Sequence, residues 1–276
     1  MIKVMTVNTG DQPHPATGRL QDCLTPLRHA QLDILCCQSL PRSMDGSEDL
    51  TPLLSRSLGM TSSCFAVHRR FSKEHEQGKG ESSGLAILTG TEVWMLNSGS
   101  LSIPDEAEGE EWIGQFALVR KNSTSILVLN LQIASSPQDQ SLQLRAVFAH
   151  PLLKEHYGAV VLCGDRHPEI CAKELRASTA RSNYALDSGT TPAAPGKGML
   201  YLLTARDQPE VTVTTGKAGA SRTVASLGRP DCPQPGPWIE FEVNRIPEAK
   251  KARRYMPLSF REQWLGYKEK YPAFAA

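Results

Sequence analysis

A carboxylate and an imidazole follow directly after an apolar run in the stretch "VVLCGDRHPE". Residues 160–163 are apolar, Gly164 ends the run, and Asp165 and His167 come next. A short apolar run that ends at glycine predicts a buried strand entering a loop. A carboxylate and an imidazole at such a strand end can support acid–base catalysis or bind a metal. Asp165 can equally cap loop N–H groups, and His167 can be a plain loop histidine, so both interpretations stay open.

Two other polar residues occupy a predicted strand tip and a predicted loop. Asn8 ends the first apolar stretch, residues 2–8, as a polar strand tip. Asp231 precedes Cys232 and a proline in a long loop. Asp231 could act in catalysis or simply form the turn, and Cys232 could be a nucleophile or a plain loop thiol.

These side chains need a scaffold, and the hydrophobic pattern predicts a layered α/β domain. An alternating strand over 2–8, a helical stretch within 17–32 and a buried strand over 33–39 form a β-α-β opening. Further along, residues 84–90 and 92–98 are expected to form a hairpin, and residues 136–156 one helix. Many strands and few helices favour two packed sheets with helices outside.

The amino-acid composition and charge restrict the partners and the cellular compartment that we expect. The chain has 276 residues and a formal net charge of +1, so it has no overall field that would attract nucleic acid. Its seven cysteines are scattered without a C-x-x-C pair, which predicts a reducing intracellular compartment and no zinc site. We expect a cytoplasmic or organellar location, mitochondria included. No apolar run reaches the roughly 18 residues of a membrane span, so no membrane partner is expected.

Residues 245–276 differ from the rest of the chain and predict a helical extension. A capping box at Ser259 and Glu262 precedes residues of one aromatic helix face: Phe260, Trp264, Tyr267 and Tyr271. A basic cluster comes before it: Lys250, Lys251, Arg253 and Arg254. The aromatic face must either fold back on the domain or dock on a partner. The basic cluster can contact RNA phosphates or remain a solvated linker.

The order of the strand-tip motifs resembles the endonuclease/exonuclease/phosphatase superfamily, which has the deoxyribonuclease-I-like fold. The motifs are "VMTVN", "DILCCQS", "GLAILTG", "LNLQI", "VVLCGDRH", "GMLYLL" and "RPDC" before "WIEFEV". The resemblance covers residues 1–244. It implies a four-layer α/β sandwich of two mixed sheets with outer helices, followed by the extension at 245–276.

The resemblance also implies Mg²⁺-dependent phosphoester hydrolysis, but this chain departs from the family at most of the functional positions. The metal-binding Glu is Ser39, the phosphate-binding His is Gln132, an Asp is Leu200, and the catalytic His is Cys232. The Asn of the "GDxN" motif is His167. Asn8, Asp165 and Asp231 keep the family residue. No residue is therefore expected to bind a metal at the position of Ser39, because a hard cation needs carboxylate oxygens.

We therefore expect a catalytically inactive pseudoenzyme, with no cofactor, that serves as a scaffold or an RNA- or protein-binding component. A ribonucleoprotein assembly is the expected partner, and the extension the expected contact. The alternative is a divergent Mg²⁺-dependent phosphodiesterase or nuclease using Asn8, Asp165, His167 and Asp231. A carboxylate such as Glu81 near Asp165 would favour that alternative. A third hypothesis is a phosphate binder without turnover.

Overall fold

The structure is a computed structural model, and it describes the chain in segments that include every strand and helix named below. The described residues are 1–9, 24, 27–43, 50–70, 81–103, 112–133, 137–155, 157–165, 168–180, 182, 184–186, 199–206, 211–220 and 234–245.

Two six-stranded mixed sheets contain all the described strands. The first sheet has the order β11-β12-β1-β2-β4-β3 and the second the order β5-β6-β7-β8-β10-β9. The strands are β1 (Ile2–Asn8), β2 (Ile34–Ser43), β3 (Ser62–Arg70), β4 (Glu81–Thr89), β5 (Trp94–Ile103), β6 (Trp112–Lys121), β7 (Thr124–Leu131), β8 (Ala159–Gly164), β9 (Tyr184–Leu186), β10 (Met199–Ala205), β11 (Val211–Ala220) and β12 (Gln234–Arg245).

The described helices are few and short. They are α1 (Leu50–Leu58), α2 (Pro137–Ala149), a 3-10 helix (Pro151–Lys154) and α3 (Pro168–Thr179), and residues 27–29 are also helical. Within this described part of the chain, no helix is long and apolar enough to cross a membrane.

Three hydrophobic cores separate four layers. The central core joins the inner faces of the two sheets, for example Val4 and Ile87 with Val128 and Val161. One outer core packs sheet one against helical residues that include Leu50 and Leu54. The other packs sheet two against Leu144, Val147 and Leu175. The central strands β2, β4, β7 and β8 are mostly apolar on both faces because both faces are covered. This arrangement is the predicted α/β sandwich of two mixed sheets, and the prediction is confirmed.

Parallel pairing brings the polar strand tips to one end of the sandwich. Asn8 of β1 lies beside Gln38 of β2, and Leu131 of β7 lies beside Gly164 of β8. Because parallel strands end at the same edge of a sheet, the residues that follow them face a common mouth.

Two element predictions were wrong. Residues 84–90 and 92–98 do not form a hairpin, because β4 belongs to the first sheet and β5 to the second. The chain crosses from the first sheet to the second after Gly90, so the two apolar runs belong to opposite sheets and do not pair. The predicted helix over 136–156 is broken at His150, where Pro151 starts a separate 3-10 turn.

Candidate functional site

Ser39 occupies the position where the resemblance would place a metal-binding glutamate. It lies in β2 at an irregularity between Cys37 and Leu40, and its backbone adopts a positive φ of 53°. The side chain is only 3% exposed, and its Oγ accepts a hydrogen bond from Gln132 Nε2 at 3.1 Å. Two uncharged side chains therefore bond to each other here, one from β2 and one from the segment that follows β7.

Leu200 also lies where an acidic residue would be expected, and it is part of the hydrophobic core. It pairs with Cys163 in the β8–β10 ladder and packs between the two sheets. Its side chain is 3% exposed. At three positions where the family motifs have an acidic residue or a histidine, this chain therefore has uncharged side chains: Ser39, Gln132 and Leu200.

Asp165 keeps the family residue and has a structural partner. It follows directly after β8 and is half-buried. Its Oδ1 accepts a hydrogen bond from the backbone N–H of Ile133 at 3.4 Å. The carboxylate thus links the segment after β8 to the segment after β7, as expected for a cap of loop N–H groups.

Asn8 ends β1 beside the same mouth and is half-buried. The next residue, Thr9, fastens this strand end to β2. Its hydroxyl bonds to the carbonyl oxygens of Gln38 at 3.1 Å and Ser39 at 2.6 Å, and its N–H donates to Gln38 O at 3.0 Å. The backbone around Ser39 is therefore held in place by β1.

A buried network of polar side chains lies immediately below Ser39. This network was not predicted from the sequence. Gln38 Nε2 donates to Thr6 Oγ1 at 2.8 Å and to Asn130 Oδ1 at 2.6 Å. Asn130 Nδ2 lies 3.4 Å from Gln115 Oε1, and Gln115 Nε2 lies 3.3 Å from Cys64 Sγ. The network crosses the central core from sheet one to sheet two. Its signal in the sequence was a single amide within each apolar strand.

Asn130 also satisfies backbone groups at the irregularity of β2. Its Nδ2 donates to the carbonyl oxygens of Cys37 at 2.9 Å and Ala86 at 3.1 Å. These two residues form the last regular pair of the β2–β4 ladder before its register shifts. The amide therefore stabilises the backbone distortion that places Ser39 at the mouth.

The described cysteines near this network are not activated nucleophiles. Burial, a hydrogen bond with Cys163 and their Coulombic interaction raise the pKa of Cys36. Burial raises the pKa of the Cys64 thiol to about 11, opposed in part by a hydrogen bond with Ser98 and by the bond that the thiol donates to the carbonyl oxygen of Ile87. These thiols are protonated at neutral pH, whereas a reactive cysteine needs a lowered pKa.

Several predicted residues lie outside the described residues. They are His167, Asp231 and Cys232 of the candidate site and Lys250, Lys251, Arg253, Arg254, Phe260, Trp264, Tyr267 and Tyr271 of the extension. The side chain of Glu81 is also outside them. Within the described part of the chain, no three His, Cys, Asp or Glu side chains cluster as metal ligands do.

Solved structures share this architecture. An endonuclease/exonuclease/phosphatase family protein from Leptotrichia buccalis C-1013-b is similar at a TM-score of 0.62 and 11% identity, over 88% of this chain and 100% of that one. An endonuclease/exonuclease/phosphatase from Beutenbergia cavernae DSM 12333 has a TM-score of 0.62 and 17% identity, over 88% and 71%. The human Nocturnin catalytic domain with bound sulfate has a TM-score of 0.58 and 16% identity, over 88% and 94%.

Sequence comparison adds no closer relative. No protein-family model matches the chain, and no curated protein sequence matches it. Structural similarity at sequence identities this low establishes the fold and leaves the activity open. The chain therefore has the deoxyribonuclease-I-like α/β-sandwich fold of endonuclease/exonuclease/phosphatase proteins.

Proposed function

We propose that this protein is a catalytically inactive relative of the endonuclease/exonuclease/phosphatase enzymes that serves as a scaffold in a larger assembly. The observation that carries the proposal is the Ser39–Gln132 hydrogen bond. It replaces a metal-binding carboxylate and a phosphate-binding imidazole with two neutral groups.

The physical argument concerns how a divalent cation is held. Mg²⁺ binds proteins through one or two carboxylates together with water and substrate phosphate. A serine hydroxyl carries no charge, so Ser39 cannot offset the free-energy cost of removing water from the ion. Asp165 is the family carboxylate among the described residues of this mouth, and its Oδ1 already accepts the Ile133 N–H. One carboxylate that serves as a backbone cap supports weak metal binding at most.

The scaffold part of the proposal rests on the extension at 245–276. Its basic cluster and aromatic face provide charge for RNA phosphates and apolar area for a protein partner. A ribonucleoprotein in the cytoplasm or in an organelle such as the mitochondrion is an assembly that offers both.

The first test is titration with Mg²⁺ and Mn²⁺ by calorimetry, with hydrolysis of a generic phosphodiester measured in the same samples. We expect neither binding at millimolar metal nor turnover. Ser39→Glu then returns the missing carboxylate, and Ser39→Gln is the matched neutral control. We expect only Ser39→Glu to gain metal binding, because the two side chains differ mainly in charge.

Turnover by the unmodified protein that Asp165→Ala abolishes would instead establish the divergent phosphodiesterase. Metal binding that is equal in Ser39→Gln and Ser39→Glu would also contradict the proposal. Circular dichroism of each variant shows whether the fold survives, since a longer side chain at a positive φ is strained.

A further inference from the structure

The sandwich has four edge strands among the described residues, and three of them are protected against pairing with another chain. β9 is only three residues long. β3 ends in Arg69 and Arg70 after a register shift. β11 carries Lys217 at its own register shift. Short length, charge and bulges are the devices by which proteins prevent edge-to-edge association.

The fourth edge strand, β5, has almost none of this protection. Its sequence "WMLNSGSLSI" contains no charged residue and no proline over ten positions. Its one register shift lies between Met95 and Asn97, so residues 97–103 pair regularly with β6. No described strand pairs with its other edge. Trp94 and Leu96 at its start are 66% and 45% exposed.

The face of β5 that is turned towards the first sheet is also exposed to solvent. Ser98, Ser100 and Ser102 alternate on this face and are exposed. Ser98 and Ser100 line a cleft of about 430 Å³ between β5 and β3. On the opposite face, Leu101 and Ile103 are buried in the outer core of sheet two. The regular part of this edge therefore has small polar groups on one face and apolar groups on the other.

We propose that β5 pairs with β5 of a second copy of this chain, forming a symmetric dimer through one continuous sheet. Directly opposite residues in an antiparallel pair lie on the same face. Pairing all of 97–103 with itself places Ser100 on the two-fold axis. Ser98 then faces Ser102, and Gly99 faces Leu101, so each face meets a matching face.

A second copy suits this edge because the edge carries no charge. A two-fold interface brings the same surface of each subunit together, so any charge near the axis meets its own copy. Lys217 of β11 would meet its own copy at an axis near it, whereas residues 97–103 carry no charged side chain. The proposed dimer is independent of whether the protein is catalytically active.

The test is analytical ultracentrifugation of the full chain at protein concentrations from about 1 to about 100 µM. This range covers the dissociation constants expected for a dimer with a small interface. We expect a monomer–dimer equilibrium. Ser100→Lys should weaken it about tenfold, because two lysines then face each other across the axis. Thr214→Lys, on the exposed edge strand β11, is the matched control and should leave the equilibrium unchanged.

A crosslink tests the register directly. Oxidation of S100C should join two chains through the new sulfur atoms, as identified by mass spectrometry, whereas T214C should not. A protein that stays monomeric overturns the proposal, even if a foreign peptide binds to β5. A dimer that Thr214→Lys weakens as much as Ser100→Lys, or a folded S100C variant that does not crosslink, also overturns it. Thermal unfolding of each variant distinguishes lost association from lost folding.

Discussion

Asn130 shows at the scale of one residue how a polar side chain can be necessary in an apolar core. It is completely buried and contacts β2, β4 and β6 through hydrogen bonds. In the unfolded chain water would bond to its partners, whereas in the folded core the Asn130 Nδ2 group donates to the carbonyl oxygens of Cys37 and Ala86. Its loss leaves the carbonyl oxygens of Cys37 and Ala86 without that donor.

Replacing Asn130 by alanine should lower the free energy of unfolding by about 3 kcal/mol, since buried acceptors are left unsatisfied. Urea unfolding followed by circular dichroism measures the change. Asn244→Ala, on the exposed side of β12, is the control and should change stability by less than about 0.5 kcal/mol. Equal effects of the two variants would show that the network is not stabilising.

The 3-10 helix Pro151–Lys154 shows how a short element can make stability depend on pH. His150 caps it, and His150 Nδ1 accepts the N–H of Leu152 at 3.2 Å. Burial, followed by the charge of Lys154, lowers the pKa of His150 to about 4. Protonation of Nδ1 would remove the acceptor of the cap, so the folded state favours the neutral ring.

Stability should therefore fall as the pH decreases from about 6.5 towards about 4, because the unfolded chain takes up a proton that the folded chain refuses. We expect a loss of about 1–2 kcal/mol for this partly exposed group. His150→Asn keeps a cap acceptor that does not titrate. Denaturant unfolding at several pH values should show that the difference between the two proteins changes only in this window. A constant difference would contradict the assignment.

At the scale of the whole molecule, we propose separate tasks for the two sheets and for the extension at 245–276. Three apolar cores stabilise the sandwich, and Leu200, at one of the family's functional positions, is itself part of the central core. The uncharged residues Ser39, Gln132 and Leu200 are therefore compatible with the fold. We propose that RNA binding depends on the basic cluster of the extension.

Reversal of that cluster to glutamate should weaken the binding of single-stranded RNA and make it less sensitive to salt. The variant combines Lys250→Glu, Lys251→Glu, Arg253→Glu and Arg254→Glu. The slope of log affinity against log salt should drop by about 3, as four lost phosphate contacts require. The control reverses four exposed basic residues of the sandwich: Lys154, Lys173, Arg176 and Lys217. Equal losses in both variants would indicate that overall charge, and not the cluster, binds RNA.

The sequence by itself determined the sandwich and the identity of the residues at the family's functional positions. Alternating apolar runs report which faces are buried, so the strands around 2–8, 33–39 and 160–164 and their polar tips were predictable. The absence of a carboxylate at Ser39 follows from residue identity alone. The faces that one strand buries are set by the spacing of apolar residues within that strand. These strands and their polar tips can therefore be predicted from the local sequence.

Only the tertiary structure decided which strands are neighbours and which amides meet. The runs at 84–90 and 92–98 look like a hairpin because proximity in the chain favours pairing, yet they entered different sheets. Gln38 and Asn130 are 92 residues apart, and their hydrogen bond required both sheets to pack. The unprotected edge of β5 likewise emerged from strand order. Pairing and packing depend on contacts distant in sequence, which no local pattern encodes.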